Sequence, residues 1–141
     1  MGTIRKTVDL DFPRALVWEA ISTSEGLSAW LMPNDFVLRD GHAFTLQTDP
    51  APGFDGTVRC TVLSYEIERM VSFSWRGGGL DTIVTIALED SASGTLLTLS
   101  HEGFSLRQLP VRAILFLGWR KLLGRKLPAY LVSTEVPVHG A

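Results

Sequence analysis

The residues of this chain best suited to metal or nucleophilic chemistry are three histidines and one cysteine. His42, His101, His139 and Cys60 are scattered, and no two stand at a spacing that would present a pair of metal ligands from one element. The sequence therefore implies no metal and no cofactor. Cys60 has neither a base nor a cation beside it, and its alternation with Val58 and Val62 reads as a small apolar residue facing inward. No Gly-x-Ser-x-Gly elbow is present to raise a serine nucleophile. A lone cysteine cannot form an intramolecular disulfide, which fits a reducing compartment.

His101 has the most chemical promise. It continues the face of Leu97 and Leu99, so it ends an inward-facing strand. An imidazole in an apolar pocket can polarise a carbonyl or move a proton. It can equally be a hydrogen-bonded histidine that closes a strand. Glu66 and Glu102 supply carboxylates, but a catalytic pair needs convergence in space. Trp30, Trp75 and Trp119 lie on three separate elements, and aromatic walls with few polar groups are what apolar ligand pockets use. Arg112 projects about 20° from Trp119 on an ideal helix. It either meets an anion there or carries its charge out to solvent along its aliphatic stem.

Alternation and helical spacing define the elements that carry these residues. Thr3–Phe12 places Ile4, Val8, Leu10 and Phe12 on one face, as a strand does. Pro13 suits a helix start, and Leu16, Val17, Ala20 and Ile21 follow at helical spacing. Thr23 or Ser24 can cap a second short helix carrying Leu27 and Trp30, which stops before Pro33. Strand patterns then run from His42 to His101, broken by turn-rich segments at 49–56, 77–79 and 90–94. Within Thr57–Ile67 the apolar phase slips from even to odd positions, which predicts a bulge or bend. A last segment from Leu106 or Pro110 to about Tyr130 is helical, roughly 30 Å long at 1.5 Å per residue. Leu115, Phe116, Trp119, Leu122, Leu123, Leu127 and Tyr130 share one broad face of it. A sheet with one face to bury, followed by one long amphipathic helix, is expected to curl around that helix.

The 141 residues, 45% apolar and 20% charged, suit one globular domain spanning 1–141. A net charge of −2 and a pI near 5.9 speak against nucleic acid as a partner. Met1–Asp11 lacks the apolar run of a signal peptide, and no stretch reaches the ~18 apolar residues of a membrane span. A cytoplasmic protein is expected.

Four stretches resemble the START-like (Bet v 1-like, SRPBCC) superfamily, in the branch of the activator of heat-shock-protein-90 ATPase. They are Val8–Trp18, Leu27-Ser-Ala-Trp30, Gly56-Thr-Val58 with Val71–Trp75, and Gly94–Phe104 with Gly118-Trp119 and Leu122. Together they span about residues 4 to 132. The resemblance implies an α+β helix-grip fold: a curved antiparallel sheet of six or seven strands, two short helices after the first strand, and a long C-terminal helix across the sheet. It also implies a cavity between sheet and helix, without implying one reaction. Two features depart from the family pattern: Gly41-His42 stands where a glycine pair is common, and Val111–Leu117 is apolar where relatives are often polar.

The expected function is binding of a small apolar or aromatic molecule, such as a lipid or polyketide-like metabolite. The expected lining is Trp30, Phe44, Trp75, Phe116, Trp119 and Leu123, with His101 near the polar end. A cavity enzyme using His101, such as a cyclase or hydrolase, and a co-chaperone-like interaction domain are the alternatives. Ile114 and Leu117 project away from the Trp119 face, so the apolar start of the helix is also expected to support a homodimer.

Overall fold

The computed structural model describes residues 2–135; His139 lies outside them. One sheet holds six antiparallel strands in the order β1-β6-β5-β4-β3-β2. These are β1 (Gly2–Leu10), β2 (Ala43–Gln47), β3 (Thr57–Glu66), β4 (Met70–Gly77), β5 (Leu80–Asp90) and β6 (Thr95–Phe104). Two short helices, α1 (Arg14–Ser22) and α2 (Ser24–Trp30), separate β1 from β2. The first strand therefore closes against the last, beside the chain that leads into the C-terminal helix.

Local chemistry accounts for the junctions. Pro13 stands as the N-cap of α1, where its missing N–H costs nothing. Thr23 ends α1 and caps α2 by accepting the Gly26 N–H at 3.0 Å. The phase slip in β3 is a real irregularity: its register against β4 shifts between Val62 and Ser64. Beside that shift the Ser74 hydroxyl accepts the Thr61 N–H at 2.9 Å, so the disturbed ladder keeps its backbone donor bonded. Such bulges raise local twist and bend the sheet.

The C-terminal helix opens with a 3₁₀ turn (Leu106–Gln108) and continues as α3 (Leu109–Lys121). It then widens into a π-helical turn (Leu122–Lys126) and ends as α4 (Leu127–Glu135). The sequence pattern shows the helix but not the wide turn. Pro128 supplies the reason, because it has no N–H to give and its ring would crowd the carbonyl of Gly124 in a regular α-helix. The turn has a second effect. Trp119, Leu123, Leu127 and Leu131 are all buried at i, i+4 steps. That series drifts about 40° per step on an ideal helix, and a wider turn takes back part of the drift. One continuous row thus stays against the sheet.

The concave face supplies the other half of the core, through Ile4, Val58, Val62, Phe73, Trp75, Val84, Ile86, Leu97 and Leu99, all buried. The outer start of the helix is tied to the edge strand by two contacts. The Arg112 guanidinium donates to the Thr3 carbonyl at 3.0 Å, and the Lys6 ammonium stands 5.1 Å from the Phe116 ring centre. Arg112 takes a third course beside the two expected from sequence: half-buried, its guanidinium donates to the backbone of β1.

Candidate functional site

Strand register brings Trp75, Thr82 and His101 together on the concave face. Trp75 on β4 lies opposite Thr82 on β5, and His101 on β6 lies opposite Val84, one step along the same face. Trp119 comes down on them from α3, with its ring centre 5.7 Å from that of Trp75 and 6.1 Å from that of His101. Phe104 closes the other side, 4.8 Å from the imidazole.

The polar atoms inside this cluster form one directed chain. The Trp119 indole N–H, which can only donate, reaches His101 Nδ1 at 3.1 Å. The Thr82 hydroxyl spends its proton on the Trp75 carbonyl at 3.0 Å and lies 2.7 Å from His101 Nε2. The imidazole nitrogen must then donate to the hydroxyl oxygen. His101 is thereby neutral, with its proton on Nε2 and its Nδ1 lone pair occupied. It is fully buried, and loss of hydration pulls its pKa down from 6.5 to about 4. Both ring nitrogens are committed to structure.

The remaining residues suggested by sequence pattern lie apart from this cluster or behind it. The Trp30 indole is buried and donates to the Ala20 carbonyl at 2.8 Å, which pins α2 to α1. Phe44 packs edge-on against Phe36 and Phe73, with ring centres 5.0 and 5.5 Å away. It also borders a recess of about 320 Å³ beside β2 and β3 whose charged lining is Asp35, Arg59 and Arg76. Leu123 is buried under the helix, whereas Phe116 is turned outward beneath Lys6. Cys60 is buried too, and burial pushes its thiol up to about 12, far from the reactive thiolate range. Glu66 and Glu102 sit on different strands, both exposed. Among the described residues no three His, Cys, Asp or Glu side chains gather as metal ligands would.

An apolar cleft of about 380 Å³ opens on the far side of Trp75. Its floor is Trp75, Val58 and Leu80. The start of the C-terminal helix forms one wall through Val111, Ile114 and Leu115, and Met32 another. The third wall is the 49–56 loop, through Ala51, Pro52 and Phe54. Thr48 supplies the polar side chain, and no charged residue lines the space. Glycine makes the loop contact possible: a Cβ at Gly77 would stand 3.1 Å from the Phe54 ring, and one at Gly78 3.3 Å from the Phe54 Cβ. Of the residues expected from sequence to line a pocket, Trp75 alone lines this cleft. His101 and Trp119 support its indole from behind. The other lining residues come from five separate segments. Their signals were the two turn-rich loops and the all-round apolarity of Val111–Leu117, neither of which reveals a shared site by itself.

Comparison with known proteins accords with this architecture. MLL2253 from Mesorhizobium loti superposes with a TM-score of 0.85 at 26% identity, over 95% of this chain and 98% of that one. BH1534 from Bacillus halodurans gives 0.79 at 32% identity, over 93% and 97%. DynU16, a protein of the dynemicin biosynthetic locus, gives 0.77 at 22% identity, over 95% of this chain but 48% of its own length, a likeness of fold alone. No curated protein matches the chain. The family model described as activator of Hsp90 ATPase homolog 1-like protein matches residues 11–132, from the start of α1 into the last helix and so every described strand but β1, and the chain belongs to that family.

Proposed function

We propose that this protein binds a small, neutral, apolar or aromatic molecule in the cleft over Trp75, and that it does so as a carrier or sensor rather than as an enzyme. The observation that carries the proposal is the lining: a floor built on the Trp75 indole, apolar walls on three sides and no charged side chain. A ligand that removes about 400 Å² of apolar surface from water, its own and the cleft's together, gains roughly 10 kcal/mol. Association costs of about 4 kcal/mol leave a dissociation constant on the order of tens of micromolar. That range suits a molecule that must be released again.

The committed nitrogens of His101 support binding over catalysis. A proton-transfer role would require the imidazole to leave both Trp119 and Thr82 while buried, stranding a donor on the indole. A metabolite of the polyketide kind and a cytoplasmic site of action are the finer parts of this reading. The membership of DynU16 in a biosynthetic locus is a property of that protein, and it suggests only where a ligand panel should begin.

Titration with N-phenyl-1-naphthylamine, a neutral flat fluorophore, tests the proposal. Probe emission should rise and saturate in the micromolar range. The Trp75 indole and the Ile114 and Leu115 methyl resonances should shift together, while the Trp30 indole stays still. Met32→Trp, which adds bulk at a half-buried wall, should weaken binding at least about tenfold while costing no more than about 1 kcal/mol of stability. If a broad panel of neutral aromatics and lipids leaves Trp75 unmoved, the cleft is not a ligand site.

A further inference from the structure

We propose that the outer face of the C-terminal helix docks this protein onto an anionic lipid bilayer, with the mouth of the cleft at the contact. The face has two halves. In the first, Leu106, Leu109, Ile114 and Leu117 are exposed, Leu106 by 72% and Ile114 by 69%. Six of the eleven large apolar side chains exposed on the described surface fall in this one stretch of twelve residues, 106–117. In the second half Leu117, Arg120, Lys121, Gly124 and Arg125 share one open, outward surface. Apolar side chains at one end and cations at the other provide the paired signals by which an amphipathic helix lies in a membrane interface.

Charge complementarity selects the occupant. The chain is acidic overall, yet residues 103–134 contain six of its thirteen cations and none of its fifteen carboxylates. Lys6 lies beside this face, over Phe116. A second copy docked by the same face would bring its own cations and no counter-charge, so the full length of the face is not self-complementary. Nucleic acid would neutralise the cations but leave the exposed leucines against water and phosphate. An anionic bilayer answers both halves, with lipid tails for Ile114 and Leu117 and headgroups for Arg120, Lys121 and Arg125. Val111 and Ile114 belong to the face and to the cleft rim alike, and the exposed Ala51-Pro52 tip lines the same cleft. A docked molecule would therefore open its cleft towards the lipid. The docking itself does not depend on what the cleft binds.

Co-sedimentation of the full chain with vesicles tests the proposal. Vesicles of phosphatidylcholine with about 30% phosphatidylglycerol should retain the protein at low salt and release it at about 0.5 M salt. Phosphatidylcholine alone should retain little. Each cation neutralised should weaken binding about fivefold, so Lys121→Gln with Arg125→Gln should weaken it roughly 25-fold. Ile114→Ser with Leu117→Ser should abolish retention while circular dichroism stays unchanged. Met32→Trp should lose the cleft probe but keep the vesicles, which separates this proposal from the ligand reading. No retention on anionic vesicles at low salt overturns it, as does equal retention on neutral ones. So does a stable dimer, by sedimentation velocity, that protects Ile114 and Leu117 and survives the two glutamine substitutions.

Discussion

At the scale of single residues, His101 shows how a chemically capable group becomes a structural one. Its sequence position, at the end of the Leu97–Leu99 face, is as compatible with a catalytic imidazole as with a buried one. The difference lies in its partners, since Trp119 and Thr82 come from other elements and occupy both nitrogens. The arrangement has a pH signature. The unfolded histidine titrates near 6.5, whereas burial holds the folded one at about 4. Between those values the unfolded chain binds a proton that the folded chain refuses. Stability is therefore complete above about pH 6.5 and falls as the pH drops towards about 4, by on the order of 3 kcal/mol from this group. Urea unfolding across that window should show the loss. His101→Gln can accept from Trp119 and donate to Thr82 without titrating, and it should flatten the profile relative to the native protein. An equal slope in both would mean that surface carboxylates, not His101, set the acid sensitivity.

At the scale of elements, glycines report which contacts are tight. Gly26 lets α2 cross α1 closely: an added Cβ would lie 2.7 Å from the Glu19 carbonyl oxygen and 2.8 Å from the Ala20 Cα, both backbone atoms that cannot move aside. Gly118, in α3, would meet nothing within 4 Å. Thermal unfolding should separate them. Gly26→Ala should destabilise by at least about 2 kcal/mol, whereas Gly118→Ala should stabilise by about 0.5–1 kcal/mol through the lower entropy of the unfolded chain. If both behave alike, the α1–α2 crossing is looser than this geometry requires. The π-helical turn belongs to the same scale. Helical periodicity in sequence places Leu115 to Leu127 on one face, but no periodicity reveals the turn that holds Leu127 and Leu131 in line with Trp119. Pro128 is its visible trace.

For the molecule as a whole, the helix-grip arrangement leaves one end of the helix seated in the core and the other held mainly at the β1 edge. Trp119, Leu123, Leu127 and Leu131 are buried against the sheet, while residues 106–117 bury little and frame the cleft. A ligand in that cleft would bridge the start of the helix to β3, β4 and the 49–56 loop, and so stabilise the assembly by mass action. At about one hundred times the dissociation constant the gain is roughly 2.7 kcal/mol, which for a domain of this size raises Tm by about 6–12 °C. Scanning calorimetry with the naphthylamine probe should show this shift in the native protein and little of it in Met32→Trp. A rise of the same size in both would place the bound probe somewhere other than the cleft.

The resemblance to the START-like superfamily supplied the α+β helix-grip class, while pattern in the chain was enough to order the strands and helices, to expect the sheet to curl around the last helix and to locate the bend in β3. Each reading from pattern follows from the period-2 or 3.6-residue repeat of apolar groups along one stretch of backbone. The Trp75, His101 and Trp119 cluster was partly legible for the same reason, because each of its members sits in the inward phase of its own element. Phe116 shows the limit of that logic. It shares the inward arc with Trp119 by angle, yet the helix start is held at the β1 edge, and the ring meets Lys6 at the surface instead. Only tertiary structure could assemble the cleft, since Met32, Val58, Leu80, Val111 and Ile114 are brought together by strand register, sheet curvature and the height at which the helix crosses. Those quantities depend on contacts between residues distant in the chain, where the repeat along any one segment carries no information.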